Sequence, residues 1–114
     1  MIKILIVDDE KPICDLIDIN LSAAGYQCKS VQDGLAAIDL IERESFDLIL
    51  LDIMLPGADG FDIMEYIRPL KVPVIFITAR GEVKNKIKGL KLGAEDYLVK
   101  PFDVLELAAR VEVV

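Results

Sequence analysis

The chain has 114 residues, 54% of them hydrophobic, and carries a formal net charge of −7. That length supports one domain with a well-filled core and not two, and the acidic balance argues against direct gripping of nucleic-acid phosphates. No apolar run reaches the ~18 to 20 residues of a membrane helix, and the N-terminal MIKILIVDDE is too short, and lacks the cleavage site, for a signal peptide, so a cytoplasmic protein is expected.

Residues 2–7, IKILIV, form the first predicted strand, an unbroken aliphatic run of the kind covered on both faces. A helix follows, with Ile13, Leu16, Ile17, Leu21 and Ala24 at helical spacing and Gly25 as its stop. YQCKSV, 26–31, alternates and is more polar, as suits an edge strand. Asp33 is expected to cap a second helix that turns Leu35, Ile38 and Ile41 inward. FDLILL, 46–51, is the third strand and runs straight into Asp52 and a Pro-Gly turn. Asp59 and Gly60 open a short helix carrying Phe61, Met64 and Ile67, halted at Pro69. VIFIT, 74–78, is the fourth strand, and residues 82–92 make a helix with Lys84, Lys86, Lys88 and Lys91 on a basic, solvated face, ending at Gly93. DYLVK, 96–100, is the fifth strand. Asp103 then caps a helix carrying Leu105, Leu107, Ala108 and Val111, with no stop signal before Val114, as in a domain excised from a longer chain.

Five strand–helix alternations imply an α/β fold, a doubly wound parallel sheet with helices on both faces. Sites in such sheets form at the carboxyl ends of the strands where the strand order reverses. The residues at those ends are Asp8-Asp9, Asp52, Thr78-Ala79 and Lys100-Pro101. If the order is 2-1-3-4-5, Asp8, Asp9 and Asp52 flank the reversal, and Thr78 and Lys100 rim it. Carboxylates crowded together raise one another's pKa, and a hard cation such as Mg²⁺, which takes oxygen ligands and retained waters, relieves them. An aspartate nucleophile, a metal and fixed donors are the parts of phosphoryl transfer, with Asp52 at the tip of the most buried strand as nucleophile. The chain has no histidine, so a Ser-His-Asp triad, a histidine zinc site and self-made phosphohistidine are excluded. Cys14 and Cys28 form no CxxC pair and are expected to be buried thiols.

Each residue alone has a plainer reading: the acidic pair as a solvated turn, Asp52 as a loop cap, Thr78 as a strand former, Tyr97 as core, Lys100 as a surface lysine. Together they would have to coincide at one sheet edge.

IVDDE, LLDIMLPGADG, ITA and DYLVKPF, in this order and spacing, resemble the receiver domain of bacterial two-component response regulators across essentially the whole chain, 1–114. The resemblance implies a flavodoxin-like (βα)5 fold and a phosphoacceptor regulatory domain rather than an enzyme. Asp52 would accept a phosphoryl group from a sensor histidine kinase. Asp9 and Asp52, helped by Asp8, would hold Mg²⁺ with the backbone carbonyl of Met54. Thr78 and Lys100 would contact the phosphoryl oxygens, and Tyr97 would turn inward as Thr78 moves. Lys100-Pro101 would carry the family's cis bond.

LGAEDYLVKPFDVLELAAR further resembles the OmpR/PhoB subfamily. That implies a C-terminal DNA-binding effector domain beyond this segment and DNA contact only through it. It also implies a homodimer on phosphorylation, with Lys86 meeting Glu106 and Asp96 meeting Arg110 across the interface. Glu112, beside Glu95, departs from the basic residue common at its position and would remove a third pair. A stand-alone receiver that docks on a protein partner is the alternative. A phosphatase with an aspartyl-phosphate intermediate is a third reading, disfavoured because Met54 stands where that class places a second acid.

Overall fold

The structure is a computed structural model describing residues 1–114. In chain order it comprises β1 (Lys3–Val7), α1 (Lys11–Ala23), β2 (Gln27–Val31), α2 (Gly34–Arg43), β3 (Leu48–Leu51), α3 (Gly60–Ile67), β4 (Val74–Thr78), α4 (Val83–Lys91), β5 (Asp96–Val99) and α5 (Val104–Val113). The strands form one parallel sheet in the order β2-β1-β3-β4-β5. The chain winds outward from β1 to β2, then returns across β1 to build β3, β4 and β5. The reversal therefore lies between β1 and β3.

Alternation along each strand sorts the core into two layers. Ile4 and Ile6 of β1, Leu48 and Leu50 of β3, and Ile75 and Ile77 of β4 face α1 and α5 through Cys14, Ile17, Leu21, Leu107 and Val111. Leu5, Val7, Ile49, Leu51 and Phe76 face the other way, against Ala37 and Ile41 of α2 and Ile63, Met64 and Ile67 of α3. All four residues of β3 are buried. Burying a side chain of this kind contributes about 1.5–3 kcal/mol, which offsets the cost of carrying a carboxylate to the end of that strand.

Asp33, Asp59 and Asp103 cap α2, α3 and α5, accepting hydrogen bonds from the backbone N–H of Ala36, Asp62 and Leu105. Four side-chain assignments, those of Leu35, Leu16, Leu105 and Cys28, differ from expectation. Leu35, placed inward by the sequence, is 65% exposed, because Ala37 and Ile41 form the α2 seam and Leu35 lies over Gly57 in the β3–α3 loop. Leu16 and Leu105 are likewise exposed. The seams run through Cys14, Ile17 and Leu21 in α1, and through Leu107 and Val111 in α5, and a helix cannot turn neighbouring residues to the same side. Cys28 is half-buried on the edge strand β2, whereas Cys14 is fully buried. The α3 helix ends at Ile67 and passes into a single 3-10 turn, Arg68–Leu70, that accommodates Pro69.

Candidate functional site

Register brings the acids together. Val7 of β1 pairs with Leu51 of β3, and the Asp52 N–H donates to the Val7 carbonyl at 2.9 Å. Asp8 and Asp52, one residue further on, are therefore neighbours, and both are buried. On the other side Thr78 pairs with Val99, and the Lys100 N–H donates to the Thr78 carbonyl at 2.9 Å. A cis Lys100-Pro101 bond follows. The Lys100 side chain crosses back over the ends of β4 and β3, and its Nζ lies 2.8 Å from Asp8, 2.8 Å from Glu10 and 3.0 Å from Asp52.

The electrostatics follow from that cage. Burial opposes the charge on Lys100, but its hydrogen bonds to Asp8, Glu10 and Asp52 outweigh burial and hold the ammonium protonated, well above its ordinary range. For Asp8, burial is the largest influence and raises its pKa; the Lys100 ammonium and the Glu10 N–H, which donates to Asp8 at 2.9 Å, oppose that rise without cancelling it. Asp8, Asp9 and Glu10 can place carboxylate oxygens within 4.8 Å of one another. This all-oxygen donor set, one member of which is the buried Asp8, fits a hard divalent cation such as Mg²⁺.

Asp52 is engaged at both oxygens. Oδ1 accepts from the Met54 N–H at 3.1 Å, and Oδ2 accepts from Lys100. The backbone beyond Asp52 is fixed by Gly60, whose N–H donates to the Ile53 carbonyl at 2.8 Å. A Cβ at Gly60 would collide with the Asp52 carbonyl oxygen and come within 2.6 Å of Ile53 Cα. Only glycine permits this closure of the loop. Exposed Met54, with Asp9, Ile53 and Arg80, borders an open depression of about 500 Å³ beside the acids.

Thr78 ends β4 fully buried, and its Oγ1 accepts from the Arg80 N–H at 3.3 Å. Tyr97, expected to turn inward as Thr78 moves, already lies inward with Thr78 held by Arg80. It is 6% exposed, its ring is 5.9 Å from that of Phe76, and its hydroxyl has an acceptor there. Its hydroxyl donates to the Arg80 carbonyl. Thr78 and Tyr97 therefore hold the same residue of the β4–α4 turn, one through its N–H and the other through its C=O.

Asp8, Asp52, Thr78 and Lys100 meet at one sheet edge, with Asp9 exposed beside them and Tyr97 one shell behind. Sequence reasoning missed Glu10, the third acid on Lys100, and Arg80, whose backbone role leaves no sequence signal. It also missed the thiol of Cys14, which donates to the Asp8 carbonyl at 3.4 Å beneath the site.

On the α4-β5-α5 face, Arg110 pairs with Asp96 at 2.6 Å and approaches Glu106 at 3.5 Å within the same chain. Asp96 holds the guanidinium above its ordinary range. Lys86, half-buried, makes no ion pair.

The chain and its fold have counterparts among known proteins. The profile of the response regulator receiver domain matches residues 4–112. The receiver domain of the Francisella response regulator 1452 is 36% identical, with 99% of this chain and 95% of that chain covered and a TM-score of 0.93. The Vibrio cholerae chemotaxis protein CheY4 is 30% identical, with 100% and 98% covered and a TM-score of 0.92. The DrrB receiver domain, in a BeF3-activated structure, is 33% identical, with 99% and 96% covered and a TM-score of 0.92.

Proposed function

Because the chain belongs to the response regulator receiver domain family, we propose that Asp52 is its phosphoacceptor. Receivers of two-component systems are regulatory domains switched by phosphorylation and served by histidine kinases. The observation that carries the assignment is the Lys100 ammonium, 3.0 Å from Asp52 and 2.8 Å from Asp8. A lysine 48 residues from Asp52 in sequence reaches it as a donor.

In the transfer, a carboxylate oxygen of Asp52 attacks phosphorus, an O–P bond forms, and the N–P bond to the kinase histidine breaks. Asp8, Asp9, Asp52 and the Met54 backbone carbonyl would hold Mg²⁺, which supplies charge neutralisation for the phosphoryl oxygens. Lys100 exchanges carboxylate contacts for a phosphoryl oxygen, and the Thr78 hydroxyl donates to another. Arg80 is shared by Thr78 and Tyr97, so a shift of Thr78 toward the phosphoryl group is felt by Tyr97 and by the face of α4, β5 and α5. Local charge at the site thereby biases a distant surface.

The output of that surface is self-association into a homodimer and regulation of transcription through an attached DNA-binding domain, as the OmpR/PhoB-like motif suggests. Arg110, Asp96, Glu106 and Lys86 supply its polar contacts, with Arg110 exchanging its intrachain partner for one across the interface. Likeness to a chemotaxis protein supports a second output, docking of the receiver alone on a protein partner. Both share the same switch.

Acetyl phosphate with Mg²⁺ should add one phosphoryl group, mapped by mass to Asp52, and Asp52→Asn should abolish the label. Undiminished label in Asp52→Asn, or labelling at full rate in chelator, refutes the assignment.

A further inference from the structure

We propose that Gly89 is a positioning residue for the switch: its missing side chain leaves the recess in α4 that seats Tyr97 inward. The proposal rests on the reading of Tyr97 as the switch aromatic. Gly89 is the buried residue of α4, on a helix otherwise faced by lysines and exposed aliphatics. Its backbone is not in the left-handed region, unlike that of Gly25, Gly57 and Gly93. No turn demands glycine there, and glycine inside a helix disfavours it relative to alanine. What the position requires is space. A Cβ would stand 3.0 Å and 3.2 Å from Cδ2 and Cε2 of Phe76 and 3.1 Å from Tyr97 Cδ2.

The two rings are not equally able to yield. Phe76 is fully buried in a central strand, edge-on to Phe61 at 5.6 Å, and close-packed interiors resist such shifts. Tyr97 is on the edge strand β5, next to α4, and an outward rotation about χ1 frees it. An alanine at position 89 therefore presses on both rings, and Tyr97, the one able to yield, moves away from α4 and strains its hydroxyl bond to the Arg80 carbonyl. The carboxylate of Asp52, just beyond the end of β3, is untouched.

The test uses the full chain labelled with 3-fluorotyrosine, the Tyr97 resonance being assigned by its loss in Tyr97→Phe. In the wild type that resonance should be protected from a soluble gadolinium chelate. In Gly89→Ala it should move toward the free amino-acid position and relax severalfold faster, while acetyl phosphate labels Asp52 to the wild-type extent. Gly89→Ala should also lower the melting temperature less in a Tyr97→Ala background than in the wild type. An unmoved, protected resonance, or equal melting shifts in both backgrounds, overturns the proposal. Should Gly89→Ala fail to fold alone, recovery of folding in the double variant supports it and failure of both refutes it. Beryllofluoride with Mg²⁺ on the wild type separates the two ideas. A Tyr97 resonance that ignores the activator defeats the switch reading, whereas a fault in the Gly89 assignment is visible only in the variant.

Discussion

Replacing Lys100 by methionine keeps much of the side-chain volume and removes the ammonium that three carboxylates share. The Lys100 side chain is 11% exposed, and those of Asp8 and Asp52 are 3% and 4% exposed. Breaking a buried ion pair by deleting one partner costs about 3–5 kcal/mol. Protonation of the orphaned acid sets a ceiling. Holding an Asp of ordinary pKa 3.8 neutral at about pH 7 costs roughly 4 kcal/mol. Burial already raises the Asp8 pKa in the wild type, so the increment is smaller, and the expected loss is about 2–4 kcal/mol. For a domain of this size that corresponds to a fall in Tm of roughly 10 °C. Urea unfolding in chelator, from neutral pH into acid, measures it. A carboxylate with raised folded-state pKa weakens the fold once ionised, so the deficit should be greatest at neutral pH and shrink as pH falls. Millimolar Mg²⁺ should restore part of the loss. A deficit below about 1 kcal/mol, the range of exposed pairs, or one constant across pH, would refute the cage as drawn.

Lys29, and after it Lys3, hold the Glu44 carboxyl at a pKa of about 2 against an ordinary 4.5. The stability Glu44 contributes is present above its ordinary pKa and is lost as pH falls toward about 2. Glu44→Gln should flatten the stability profile in that window, and parallel profiles for variant and wild type would contradict this. Arg110→Ala should change monomer stability by no more than about 1 kcal/mol, since the pair with Asp96 is partly exposed. The same variant should weaken self-association driven by beryllofluoride and Mg²⁺ in sedimentation velocity; a wild type whose profile ignores the activator would count against the dimer.

Strand and helix types were legible because each carried its own periodicity and stop signals. LILL reads as a strand covered on both faces, and the caps at Asp33, Asp59 and Asp103 each precede an apolar helical pattern. The failures came where local pattern is silent about partners. Leu35 and Leu105 are apolar and adjacent to the seam, yet which helical residue faces the sheet depends on how the helix is rolled against it. Arg80 serves through its backbone, which every residue type shares. Glu10 drew no reading of its own, and only the path of Lys100 over the strand ends gives it a partner.

The sequence by itself determined the alternation of elements and the polar residue ending each strand, because hydrophobic period and turn chemistry act over a few neighbouring residues. Tertiary structure alone decided which of those ends meet. Pairing of Val7 with Leu51 and of Thr78 with Val99 sets residues far apart in the chain within hydrogen-bonding reach. It also decided charge states and clearances, from the raised pKa of Asp8 to the space above Gly89. Those quantities depend on what surrounds a group in three dimensions, and burial and close packing exist only once the layers have assembled.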